Sequence, residues 1–100
     1  MSRKKLQTSR YDNAALLKNP LDIAAYLEAA LEDGDVRVIA EALGTIARAN
    51  GMAQLARDTG LGRESLYRAL SPDGNPELAT VLKVVRALGL RLHAAPAEAS

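Results

Sequence analysis

One hundred residues, 48 % of them apolar, suffice for a single domain with one core and leave no room for a catalytic domain beside a regulatory one. The absence of cysteine removes disulfides and thiolate metal sites and makes a reducing cytosol the simplest expectation; no apolar run approaches the roughly 20 residues of a membrane span, and no signal-peptide core is present. The net charge of +1 hides an uneven distribution, with four positive and no negative charges in residues 1–10, three against seven in residues 11–50, and six against five in residues 51–100.

Residues 1–10 are polar and basic without apolar periodicity, which predicts a disordered arm. Arg3, Lys4, Lys5 and Arg10 either lie along phosphates or enter a minor groove, or belong to a solvated tail without a fixed partner. Asp12 caps a short predicted helix through Lys18. Asn19-Pro20 is a strong start signal for the next, which runs to about Glu32 with Ile23, Leu27, Ala30 and Leu31 on one face and stops at Asp33-Gly34. Asp35 caps a third helix that reaches Asn50. Its buried stripe is Val36, Ile39, Leu43 and Ile46, with Arg37, Glu41 and Arg48 outside. The many alanines of this half, Ala24, Ala25, Ala29, Ala30, Ala40, Ala42 and Ala47 among them, let helices approach closely.

Gly51 delivers the chain to Met52–Leu70, which reads as two short helices with a sharp turn between them. Leu55, Ala56 and Thr59 share a face of the first, and Leu66, Ala69 and Leu70 recur at helical spacing in the second. Gly60 suits the left-handed end of a helix, Leu61 supplies an apolar plug under the turn, and Gly62 is a permissible N-cap. This is the layout of a helix-turn-helix, whose second helix is presented to the DNA major groove. Ala56 faces the close crossing, while Leu55, Leu61, Leu66 and Leu70 anchor the pair to the core. Arg63, Glu64, Ser65, Tyr67 and Arg68 are left on the outer face as candidate readers. Arginine donates bidentately to guanine or pairs with phosphate, Glu64 accepts from a cytosine amino group, and Ser65 tolerates several bases. Gln54 is placed to touch a phosphate or to brace the second helix. So weak an overall charge implies that DNA binding relies on dimerisation to gather enough phosphate contacts.

After Leu70 the segment S-P-D-G-N-P is dense in turn signals, and Gly74 reads as a structural turn. Asn75-Pro76 repeats the asparagine-proline start of a helix expected to reach Leu88, with Leu78, Val81, Leu82, Val85 and Leu88 inward and Gly89 ending it. Leu90 to His93 alternates apolar and polar, which predicts a half-buried strand that pairs with a second copy of itself or with the sheet edge of a partner. His93, the only histidine, reads as an exposed strand-end residue. Residues 94–100 are expected to form a disordered tail, leaving residues 11–93 as the domain.

The Met52–Leu70 stretch resembles the helix-turn-helix of the lambda-repressor-like (XRE) class, and the likeness extends further. The runs R-Y-D-N-A-A-L-L-K-N-P-L-D-I-A-A-Y-L-E-A-A-L-E-D-G-D, I-A-R-A-N-G-M-A-Q-L-A and R-E-S-L-Y-R-A-L-S-P-D-G-N-P-E-L-A-T-V-L-K-V-V-R-A-L-G-L are similar to the addiction-module antidote proteins. These are small bacterial antitoxins encoded beside a toxin of the RelE/ParE-like superfamily. The resemblance implies an all-α, lambda-repressor-like bundle of five to six helices with a short C-terminal strand. It also implies an antitoxin that binds its cognate toxin and, as a homodimer, the operator DNA of its own operon. Gly62 departs from the class, which usually carries a serine N-cap there; the missing hydroxyl costs a few tenths of a kcal/mol and removes one phosphate contact.

Two other function classes stand beside this. A stand-alone XRE-type regulator without a toxin partner is the nearer alternative. The acidic residues Asp22, Glu28, Glu32, Asp33, Asp35 and Glu41 also suit a protein-interaction surface for a basic partner, which accompanies DNA binding rather than competing with it. An enzyme lacks parts: there is no cysteine, one terminal histidine, no phosphate loop of the G-x-x-x-x-G-K type, and the carboxylates fall on predicted outer faces. No cofactor, metal or membrane is implied.

Overall fold

The computed structural model describes residues 19–98; the basic arm and the helix expected over Asp12–Lys18 lie outside them. Asn19-Pro20 starts a helix as expected. The Asn19 side chain accepts a hydrogen bond from the Leu21 amide at 2.8 Å, and Pro20 stands in the first turn, where its missing N–H leaves no bond unmade. This helix, α1 (Pro20–Asp33), ends at Gly34, whose left-handed backbone turns its N–H onto the Ala30 carbonyl. Asp35 then caps α2 (Val36–Asn50), its carboxylate accepting from the Arg37 amide at 2.9 Å. α3 (Met52–Thr59) follows after Gly51 alone, and α4 (Arg63–Ala69) after a three-residue turn. α5 (Leu78–Ala87) completes an all-helical set with no strand among the described residues.

All five described helices feed one core. α1 contributes Ile23 and Leu27, α2 Leu43, Ile46 and Ala47, α3 Met52 and Leu55, and α5 Val84 and Val85, while Leu66 and the residue after α4, Leu70, close it. Each fully buried leucine or isoleucine contributes roughly 1.5–3 kcal/mol. No polar or charged residue is buried among those described, so the core owes nothing to internal ion pairs. α1 packs along α2, and α3 is the junction, touching α2, α4 and α5.

Several expectations are corrected. Val36 is exposed because it opens α2 just past the α1–α2 turn, and Leu31 is exposed because Ala30 takes the inward position in the last turn of α1. The second asparagine-proline pair does not start a helix. Asn75 has φ 46, in the left-handed region, whereas an N-cap needs extended backbone; Glu77 takes that place without a side-chain bond, and α5 begins at Leu78. The cause lies one residue earlier. Gly74 lies so close under the end of α4 that a Cβ there would collide with the carbonyl oxygens of Arg68 and Ala69, and the chain must swing away before it can coil again. Leu78 and Leu82 consequently face outward, while Val81, Val84 and Val85 fill the inner side.

The expected strand is likewise absent. Gly89, in the left-handed conformation, ends α5 in a Schellman arrangement, its N–H on the Arg86 carbonyl and the Leu90 N–H on that of Val85, both at 3.0 Å. Leu90 and Leu92 then pack on the core while Arg91 and His93 stay exposed. Within the chain the alternation records a segment lying beside α1, with Ala24, Leu27 and Leu31 opposite. Residues 94–98 are exposed and without regular structure.

Candidate nucleic-acid interface

The turn between α3 and α4 is built from four consecutive residues. The Thr59 hydroxyl donates to the Leu55 carbonyl at 2.8 Å and accepts from the Leu61 amide at 3.2 Å, tying the last turn of α3 to the residue beyond it. Gly60, at φ 77, reverses the chain while its N–H caps the Ala56 carbonyl at 2.9 Å. Leu61 packs half-buried on the core, as does Ala56 at the crossing. Gly62 has the extended backbone of an N-cap but offers no side-chain bond, and its carbonyl accepts the first helical bond, from Leu66, at 2.9 Å.

α4 stands on Leu66 and Leu70, both fully or almost fully buried. With 3.6 residues per turn, Glu64 and Arg68 fall opposite Leu66, flanked by Ser65 and Tyr67, and Arg63 projects from the first turn. All five are exposed, and among the described residues none of their side chains makes a hydrogen bond or ion pair. The donors and acceptors of this face are thus uncommitted. A helix with its side chains is about 10–12 Å across, close to the roughly 12 Å width of a major groove.

Gln54 differs from the other five. It is exposed, but its amide nitrogen donates to Asp58 at 2.9 Å and its oxygen accepts from Arg57 at 2.7 Å, so its hydrogen bonds run along α3. Both bonds follow the i, i+3 and i, i+4 spacing of its own helix.

Sequence reasoning passed over Gly44. A Cβ there would run into the Leu70 carbonyl oxygen, so α2 meets the end of α4 backbone to side-chain-free backbone and sets how α4 sits on the core. The available signal was an isolated glycine inside a strong helical pattern, which usually has a packing reason. Nothing in the described residues resembles a metal centre; no three His, Cys, Asp or Glu side chains come together. No helix among them is long and apolar enough to cross a membrane.

Comparison with known proteins places the site in context. Residues 7–96 match the family model described as "Probable addiction module antidote protein". A protein of Haemophilus influenzae, itself described only as uncharacterised, is 47 % identical over 87 residues, covering 87 % of this chain and 90 % of its own. No solved structure matches.

Proposed function

Because the chain belongs to the probable addiction module antidote protein family, we propose that it is the antitoxin of a type II toxin–antitoxin module, which binds a RelE/ParE-like toxin and represses its own operon as a lambda-repressor-like (XRE) homodimer. An antidote acts on a toxin by binding it, so the family points to a regulatory protein rather than an enzyme. In this reading the chain works in the cytoplasm, where its toxin and its operator are found.

The observation that carries the DNA-binding half is the outer face of α4, five exposed side chains without partners among the described residues on a helix anchored by Leu66. In the proposed complex Arg63 and Arg68 donate to guanine O6 and N7 or to phosphates, Glu64 accepts from a cytosine amino group, and Ser65 reads either donor or acceptor. Tyr67 donates its hydroxyl to a phosphate, and Gln54 reaches a phosphate by giving up one of its bonds on α3. The acidic surface of α1 and α2, six carboxylates against Arg37 and Arg48, supplies the other side for a basic partner.

Footprinting of the region upstream of the gene tests this. The protein is expected to protect an inverted repeat with half-sites about 10 bp apart, centre to centre. Arg63→Ala and Arg68→Ala should each weaken specific binding by about 1–3 kcal/mol; footprints like the parent's would refute the assignment of readers. Co-expression with the adjacent small reading frame should give a complex that purifies together. A gene without such a neighbour would leave a stand-alone XRE-type regulator in place of an antitoxin.

A further inference from the structure

Leu78 and Leu82 stand one turn apart on α5 with 68 % and 42 % of their surface exposed. The inner side of α5 is already filled by Val81, Val84 and Val85, so nothing among the described residues covers this stripe. Beside it runs a groove between the end of α3 and α5, lined by Asp58, Thr59, Ala79, Leu82, Lys83 and Arg86. One carboxylate and two bases share this groove, yet they form no ion pair with one another. Asp58 has one oxygen on the Gln54 amide, and its other oxygen has no partner among the described residues.

An apolar stripe bordered by both signs of charge is complementary to itself, which is the condition for a two-fold contact in which the same patch serves both subunits. Nucleic acid fits poorly, since a carboxylate and two leucines offer a phosphate backbone nothing. We propose that this face seats a second copy of the chain, the Leu78–Leu82 stripes packed on each other and each copy's Asp58 opposite the other's Lys83 and Arg86. The proposal rests on the reading above that the chain acts as a dimer and assigns that dimer its surface. α3 contacts α4 as well as α5, so the same short helix couples the dimer contact to the proposed reading helix.

Charge exchange tests it, with mass in solution as the readout and neither DNA nor toxin present. Asp58→Lys places like charges across both ends of a homodimer, and so does the double variant Lys83→Asp, Arg86→Asp. Each alone should self-associate about tenfold more weakly or worse than the parent. Mixed one to one, the two variants are complementary at both ends and should recover parental association as heterodimers, which also shows that each is folded. A parent that is dimeric while both variants associate as it does, or a mixture that recovers nothing, would place the interface elsewhere and leave the dimer itself standing. Cover by the chain's own residues 1–18 would show as association indifferent to all three changes and would likewise refute the proposal. A parent that stays monomeric would overturn the dimer reading along with it.

Discussion

Gly44 sits in the middle of α2, where glycine costs a helix about 1 kcal/mol relative to alanine. The cost is met because the Leu70 carbonyl occupies the space a Cβ would need. Alanine at 44 gains that helix propensity but presses on backbone, which has no rotamer with which to yield, and overpacking of this kind costs about 1–3 kcal/mol. Contact this close to rigid backbone puts the overpacking in the upper part of that range, about 2–3 kcal/mol. After the propensity gain, Gly44→Ala is expected to destabilise by a net of about 1–2 kcal/mol, seen in urea unfolding as a lower midpoint at unchanged slope. A midpoint at or above the parent's would mean that α2 and α4 are less closely fitted than the carbonyl position indicates. A lone helical glycine was visible in the sequence as an anomaly. Its partner was not, because Leu70 lies 26 positions away and only the packing of α2 on the end of α4 brings the two together.

At the scale of the element, α4 divides cleanly between a face that holds it and a face that is free. Leu66 has no exposed surface, so Leu66→Ala should cost about 2–5 kcal/mol. Arg68, opposite it and without a partner among the described residues, should be replaceable by alanine within about 0.5 kcal/mol. Thermal or denaturant unfolding of the pair checks the orientation of the helix independently of any DNA; similar losses for both would mean that α4 is rotated from the position described. The outward set Arg63, Glu64, Ser65, Tyr67 and Arg68 was legible from period alone, since a seven-residue helix with Leu66 inside has few ways to face. The bonds of Gln54 to Arg57 and Asp58 were open to the same kind of reading, since they follow the i, i+3 and i, i+4 spacing of its own helix, a pairing the sequence reading did not weigh. A tertiary limit does apply to α5: the pattern marked five apolar positions on one face for burial, but the helix is turned so that Val84 joins Val81, Val85 and Leu88 on the core while Leu78 and Leu82 face outward, and a rotation of that size is set by packing rather than by period.

Across the whole molecule the charge is divided more sharply than its sum suggests, and four of the thirteen positive charges stand in the first ten residues. If operator binding is as proposed, its affinity should fall log-linearly with salt, by about 0.9 in exponent for each phosphate neutralised. A chain lacking residues 1–10 is expected to show a flatter slope in titrations at several salt concentrations. An unchanged slope would make the arm a solvated tail.

From the sequence alone came the helical class, four of the five helix starts among the described residues, the turn at Gly60–Gly62 and the outward set of α4, because caps, glycines and apolar period are local and act over a few residues. Tertiary packing alone decided where the C-terminal segment lies, how closely α2 meets α4, and which leucines are left facing water. Those outcomes depend on surfaces that exist only once distant parts of the chain have met.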